Sequence, residues 1–428
     1  MTIDSLYQIF LQHPSVQTDT RKLKQGDIFF ALKGDNFNGN QFAPKALEDG
    51  AAYAVVDEDM LPANDRLIKV DDVLTTLQQL ALHHRMQFNI PFLAITGSNG
   101  KTTTKELIHA VLSSKYKVYT TQGNLNNHIG VPLTILSVRQ DAELAVIEMG
   151  ANHKKEIESY CNYTLPSHGM ITNAGKAHLE GFGGEEGVRK GKGELYDFLR
   201  ENHGIAFVMW DYDYLRSMSK GISEIVKYGT EEGDITGTTK RSEPFLEVEI
   251  KSGSDAGLIR TQLVGDYNLP NVLAAVCVGN YFKVSGEKIR KAIETYAPSN
   301  SRSQLLRKGS NEVILDAYNA NPSSMKAAIE NFARLEGNNK ILLLGGMMEL
   351  GKESVEEHEA IVKLIEKFNW KQVALVGGDF MNVKHPFLQF SNSTEARKWL
   401  SAQKPVDSTI LIKGSRSMKM ENLMDAFS

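Results

Sequence analysis

At 428 residues the chain is long enough for two or three domains with full cores, and its 41% hydrophobic and 23% charged content is that of a soluble globular protein. A net charge of −4 gives no general basic surface, so nucleic acid is not an expected partner, and no apolar run is long enough for membrane insertion. Cys161 and Cys277 lack metal-ligand spacing and suit packing in a reducing compartment; with no basic-then-apolar leader after Met1, a cytoplasmic location is expected.

Residues 1–88 read as a small α/β domain, with strands over 27–32 and 51–56, a helix over 43–49 between them, and a helix over 73–86. Inside it, Thr18-Asp19-Thr20-Arg21 offers hydroxyls, a carboxylate and a guanidinium. Such a loop can hold a ribose, uracil or phosphate group, or it can simply cap a helix. Asn89-Ile90-Pro91 marks a boundary.

Residues 89–298 read as a larger domain that opens on Phe92 to Ile95, a short buried strand. Gly97-Ser98-Asn99-Gly100 makes a turn, and Lys101-Thr102-Thr103 starts a helix with Leu107, Ile108, Val111 and Leu112 on one face. Strand, glycine turn and helix N-terminus aim backbone N–H groups at a phosphate; Lys101 adds a point charge and the Thr102 hydroxyl can ligate Mg2+. The strict phosphate-loop pattern wants glycine at Ile95. Strands over 144–147, 169–172 and 205–209 alternate with helices, which predicts a mostly parallel sheet. The alternating pattern between 234 and 264 predicts a small antiparallel insertion, and 269–281 a helix.

Residues 299–428 repeat the alternation, with strands over 312–315, 340–344, 373–376 and 409–412 and helices over 323–335, 355–368, 394–401 and 418–426. The fold class is therefore α/β in three domains: a small N-terminal α/β domain, a central P-loop ATPase-like parallel-sheet domain with an antiparallel insertion, and a C-terminal Rossmann-like domain.

Several strand ends carry chemistry. Glu148 closes one strand, where an acid ligates Mg2+ or orients water, or else faces solvent. His178 sits in a glycine-containing loop, as a metal or phosphate ligand or as an incidental residue. Asn124, Asn126 and Asn127 crowd a loop that offers amides, or only turn chemistry. Lys192 lies on a helix, where lysines usually make a solvated face. Asn268 and Asn271 can cap the helix after them or contact a purine. Asp316 ends a strand, Asn319 and Asn321 follow it, and Lys413-Gly-Ser-Arg416 follows the last strand.

The order of these motifs resembles the Mur ligase family of peptidoglycan synthesis over essentially all 428 residues. Thr18–Arg21 is similar to the family's uridine-side motif, and Thr96–Thr102 to its phosphate loop, which also lacks the early glycine. Ile147-Glu-Met-Gly150, Thr172-Asn173, Ala177-His178 and Lys190-Gly-Lys-Gly-Glu194 follow in family order. Asp316–Pro322, Gly345-Gly-Met-Met-Glu-Leu-Gly351 and His358 resemble the branch that adds D-alanyl-D-alanine. The resemblance implies an ATP-dependent, ADP-forming amide ligase joining that dipeptide to a UDP-N-acetylmuramoyl-tripeptide through an acyl phosphate. It implies that Gly97 to Thr103, Asn271, Arg302 and Asp316 bind ATP, and that Thr20, Arg21, Asn124, Asn126, Asn127, Asn319 and Asn321 bind the other substrates. It assigns Lys101, Glu148, His178 and Lys192 to catalysis, and Thr102, Glu148, His178 and Lys192 to about two Mg2+ ions, with Lys192 carbamylated. It also implies a monomer whose C-terminal domain swings to close a site built from three domains. Tyr267, Asn40 and Lys176 depart from the usual family residues. Another ligase of the superfamily, a folylpolyglutamate synthase, or a nucleotide-binding regulator without ligase activity are the alternatives.

Overall fold

Parallel strands alternating with helices build three sheets in the computed structural model, which describes residues 1–59, 64–298, 301–337 and 339–427. The N-terminal sheet pairs Val16–Gln17, Ile28–Phe30, Tyr53–Val56 and Leu67–Lys69 in that order, all parallel. Helix Ile3–Gln12 starts at Thr2, whose hydroxyl accepts from the Ser5 N–H at 3.3 Å. Helix Val73–Arg85 starts at Asp72, whose carboxylate accepts from the Thr75 N–H at 2.6 Å.

That second helix fastens the N-terminal sheet to the next domain. The Arg85 guanidinium donates to the carbonyls of Thr164 at 2.8 Å, Leu165 at 3.0 Å and Phe88 at 2.9 Å, and lies 3.9 Å from the centre of the Phe92 ring. Buried His84 bridges the Tyr7 hydroxyl at 3.0 Å and the Val138 carbonyl at 2.9 Å. One apolar core runs on from Leu6 and Phe10 into Phe92 and Leu93 without a break.

The central sheet has nine strands. Across it run Leu258–Arg260, Glu247–Ser252, Ile235–Arg241, Glu224–Gly229, Ile205–Met209, His168–Ile171, Phe92–Thr96, Leu144–Glu148 and Val118–Thr120. The expected antiparallel insertion is present, but it continues this sheet: Glu224–Gly229 pairs parallel with Ile235–Arg241, and only the last two pairings are antiparallel. Glu224–Gly229 escapes a periodicity reading because it is mostly half-buried and lacks an apolar run. Phe92–Thr96 is wholly buried between Leu144–Glu148 and His168–Ile171, so three strand ends converge on Gly97 to Gly100.

His168 stands within that sheet among Phe207, Tyr281 and Phe282, and burial pushes its pKa down to about 4. A depressed imidazole pKa means that the unfolded chain binds the proton first. The stability held above about pH 6.5 is therefore lost as pH falls towards 4, roughly 3 kcal/mol at most. Melting temperatures taken across that range are expected to fall more steeply for the native chain than for a His168→Phe variant. Parallel curves would overturn this.

The C-terminal sheet runs Gln304–Lys308, Asn311–Asp316, Thr409–Lys413, Lys340–Gly345, Gln372–Val376 and Leu388–Phe390, parallel except for the first pair. The helix expected over 418–426 is instead two 3-10 segments, Arg416–Met418 and Met420–Phe427. Lys419 between them has φ +50°, which an α-helix cannot contain. The boundary expected at 298/299 falls against residues 299 and 300, outside the described residues.

Candidate active site

The turn after strand Phe92–Thr96 depends on two glycines. Gly97 has φ +145°, and a Cβ there would lie 2.0 Å from Thr172 Oγ1; Gly100 has φ +79°, and its Cβ would lie 2.6 Å from Asn271 Oδ1. The neighbouring strand end holds the turn still. The Thr172 hydroxyl donates to the Asn99 carbonyl at 2.6 Å, and Asn173 Oδ1 accepts from the Asn99 N–H at 3.0 Å. The Ser98 N–H donates to the Asn173 carbonyl at 2.9 Å, and its hydroxyl to the Gly175 carbonyl at 2.9 Å. Ile95 stays in the buried strand, so the early glycine is not needed. Helix Lys101–Ser113 follows and buries the predicted face, Leu107, Ile108, Val111 and Leu112.

Lys101 Nζ turns back onto this loop and donates to the carbonyls of Gly97 at 2.5 Å and Ser98 at 3.4 Å. Burial lowers its pKa, Glu148 opposes the shift and Arg302 adds to it. Glu148 is 1% exposed. Its Oε1 accepts from the Thr102 hydroxyl at 3.0 Å and from Asn126 Nδ2 at 2.8 Å, whereas its Oε2 is buried with no hydrogen-bond donor. A dry carboxylate oxygen without a donor, close to the Thr102 hydroxyl, suits a hard cation. No cluster of three or more His, Cys, Asp or Glu side chains that could cage a metal exists among the described residues. One carboxylate and one hydroxyl are donors that a hard cation accepts alongside phosphates and water.

A cavity of about 940 Å3 opens over this point, lined by the central and C-terminal domains. It takes in Ser98 to Thr103, Asn124, Asn126, Asn127, Glu148, His178, Asn271, Arg302, Asp316, Asn319 and Asn321. Gly97 shapes the turn without lining the cavity, and Thr20 and Arg21 do not line it either. Exposed Arg21 pairs with Asp19 through Nε–Oδ1 at 2.9 Å, and Asp19 caps the short turn Thr20–Lys22. The capping alternative thus describes that stretch locally, and the cavity is built from two domains rather than three.

Other residues depart from expectation in detail. Asn268 stands at the N-cap of helix Leu269–Tyr281, but its side chain makes no capping hydrogen bond. Asn271 accepts from the Thr104 hydroxyl at 3.0 Å and donates to Asn268 Oδ1 at 2.8 Å, while Asn268 donates to the Val264 carbonyl at 2.9 Å. Lys192 does not line the cavity. It is fully buried, donates to the Ala151 carbonyl at 2.9 Å and sits 5.0 Å from the Phe182 ring centre. Burial first, and then the charge of Lys101, hold its pKa well below the usual lysine range.

The C-terminal domain closes the far wall. The Arg302 guanidinium lies 3.6 Å from the Tyr318 ring centre. Asp316 accepts from Lys413 Nζ at 2.6 Å and from the Ser303 N–H at 3.1 Å. Asn321 caps helix Pro322–Arg334 and donates across the domain gap to Asn99 Oδ1 at 2.8 Å. Lys176 pairs with Glu357 at 2.5 Å, and the buried His178 Nδ1 contacts the Glu349 carboxylate, which lowers the Glu349 pKa. Both His178 and Glu349 have left-handed backbones, at φ +52° and +64°. Tyr160, Asp211, Tyr212 and Tyr214 also line the cavity; no motif or spacing singles them out.

Family models described as Mur ligase family catalytic domain, Mur ligase middle domain, and Mur ligase, glutamate ligase domain match residues 14–85, 95–279 and 301–416. The UDP-N-acetylmuramoyl-tripeptide--D-alanyl-D-alanine ligase of Bacillus subtilis (strain 168) is 36% identical over 422 residues, covering 96% of this chain and 92% of that protein. The crystal structure I of MurF from Acinetobacter baumannii superposes with a TM-score of 0.87 at 31% identity, covering 96% of this chain and 93% of that one. MurF ligase from Thermotoga maritima in complex with ADP gives 0.85 at 27% identity, with 97% of each chain covered.

Proposed function

This chain belongs to the Mur ligase family, and from that premise we propose that it joins D-alanyl-D-alanine to UDP-N-acetylmuramoyl-tripeptide at the expense of ATP. It is an ADP-forming ligase of peptidoglycan synthesis, acting in the cytoplasm. The observation that carries this is the Thr102–Glu148 pair at the head of the phosphate loop, with Glu148 Oε2 undonated and the Asp316–Asn321 segment facing it across the cavity.

A carboxylate oxygen is a poor leaving group, so direct amide formation in water is slow. In the proposed reaction the tripeptide's terminal carboxylate attacks the γ-phosphorus, an O–P bond forms, and the bond to ADP breaks. The amine of D-alanyl-D-alanine then attacks the acyl carbon, loses a proton, and phosphate leaves. The N–H groups of Gly100, Lys101 and Thr102 cradle the phosphates, while those of Ser98 and Asn99 are tied to Asn173, and Lys101 offsets the charge on the transferred group. Thr102 and Glu148 would hold Mg2+, which supplies further charge neutralisation when bound. No enzyme nucleophile is needed, so positioning dominates. His178 from the central domain adds a second candidate ligand. Asn124, Asn126, Asn127, Asn319 and Asn321, which line the cavity, would bind the other substrates. Thr20 and Arg21 are assigned to the uridine end, away from the chemistry.

Lys192 suits carbamylation, because burial and the charge of Lys101 disfavour its ammonium form, and only the neutral amine adds to CO2. ADP release is expected to fall in CO2-depleted buffer and to recover with bicarbonate, alongside a carbamate carbon signal in 13C NMR with labelled bicarbonate. An activity indifferent to CO2, with no such signal, would remove the carbamate.

The deciding experiment follows ADP release with ATP, Mg2+ and the UDP-tripeptide, with and without D-alanyl-D-alanine. Release that needs both, with a pentapeptide product by mass, is the expected result. Release with a free amino acid in place of the dipeptide would move the chain to another branch of the family. No release with any pairing would leave a nucleotide-binding regulator.

A further inference from the structure

Lys105 is fully buried in the central domain, and nothing in the chemistry above uses it. A buried ammonium is costly unless paired, and an apolar side chain of the same length would cost less there. Its Nζ pairs with Glu106 Oε1 at 2.7 Å and donates to the Thr121 carbonyl at 2.6 Å. Thr121 directly follows strand Val118–Thr120 and leads into the loop that carries Asn124, Asn126 and Asn127.

Thr121 is held at both ends. Its carbonyl meets Lys105, and its hydroxyl accepts from the Glu148 N–H at 2.9 Å. Glu148 in turn accepts from Thr102, which lies one helical turn before Lys105. The four residues therefore close a ring: Thr102 to Glu148, Glu148 to Thr121, Thr121 to Lys105, and Lys105 back to Thr102 along the helix. The loop is tied to the same ring, because Asn126 Nδ2 donates to Glu148 Oε1 at 2.8 Å and the Gly150 N–H donates to the Asn126 carbonyl at 2.7 Å.

We propose that Lys105 is a positioning residue for the ligase reaction: it holds the asparagine loop and the Glu148 carboxylate in register with the phosphate-loop helix. Uncharged side chains at 105 would fill the same space but could not grip the Thr121 carbonyl. The loop and the carboxylate would then drift together, because Thr121 carries both. The substrate-side contacts of the asparagine loop and the cation-facing oxygen of Glu148 are thereby set by one buried ammonium.

This rests on the ligase reading, so two kinds of measurement are needed. The first needs no turnover: Mn2+ binding in the presence of ADP, followed by the loss of free Mn2+ signal in electron paramagnetic resonance. The second is the set of KM values for the UDP-tripeptide and for D-alanyl-D-alanine. Lys105→Met is expected to weaken Mn2+ binding roughly tenfold or more, the usual effect of losing a group that orients a metal ligand. It should raise KM for the UDP-tripeptide by a similar factor and leave KM for the dipeptide within about twofold. Thr121→Val removes the other arm of the ring and should reproduce both effects. The double variant should be no worse than the stronger single one, as expected of residues acting in series. If Lys105→Met does not fold, Thr121→Val decides alone. A variant that melts earlier yet keeps Mn2+ affinity and both KM values overturns the proposal, as does an equal rise in both KM values. A native chain that releases no ADP with any pairing sinks the ligase reading instead, while Mn2+ binding still tests the ring.

Discussion

Lys101→Met is expected to slow ADP formation about a thousandfold or more in a single turnover with both substrates present. The methionine keeps most of the stem, so the turn need not collapse. What it removes is the cation seated within hydrogen-bond reach of the Gly97 and Ser98 carbonyls at the mouth of the loop. The charge that develops on the transferred phosphoryl group would then be met without that point charge, by backbone dipoles and whatever cation Thr102 and Glu148 hold. Stability should move the other way. Burial lowers the pKa of Lys101, so the folded chain binds its proton less readily than the unfolded chain does, and the charge opposes folding at neutral pH. The variant should melt at the same temperature or higher. A rate within tenfold of the native chain would mean that another cation, such as Arg302 on the cavity wall, does this work.

Glu148→Gln should cost about a hundredfold or more in the same assay and raise the Mg2+ concentration needed for half-maximal rate. The amide keeps the size of the carboxylate. Its oxygen can still accept from Thr102 and Asn126, so the local frame should survive. The change falls on the second position: a buried acceptor oxygen that has no donor becomes an N–H pointing at the same space. A cation that found a carboxylate there would find a donor. A Mg2+ titration of ADP release measures the shift directly, and an unchanged midpoint would separate Glu148 from the metal.

The phosphate loop was legible because it is local: a strand, two glycines, a lysine and a helix within about a dozen positions. The parallel sheets were legible from buried runs such as Phe92–Thr96 and Leu342 to Leu344. The far wall of the cavity was not. Asn99 meets Asn321 and Lys176 meets Glu357 across long stretches of chain, and no spacing rule reaches that far. Lys192 looked like one more lysine on a polar helix, and only its place in the family motif order drew attention to it. One physical signal was available, in the glycines at 191 and 193: Gly191 packs against the Phe182 ring, where a Cβ would come within 2.4 Å. Lys105 was silent for the same reason, since a lysine four positions after Lys101 on a helix normally points to water. The helix expected over 418–426 followed the apolar spacing, but Lys419 at φ +50° breaks its start, and the segment after it winds as a 3-10 helix.

Arg85 and His84 tie the N-terminal sheet to the central one through buried carbonyls and a shared core. That joint cannot slide without exposing those carbonyls. Were Thr20 and Arg21 to hold the uridine end, as proposed above, the span from that end to Thr102 would be a fixed gauge. A precursor would then be sorted by reach: its last carboxylate would arrive at the phosphate loop only when the peptide stem has the right number of residues. Length would be measured by the rigid body itself, with no need for a pocket that inspects each residue of the stem.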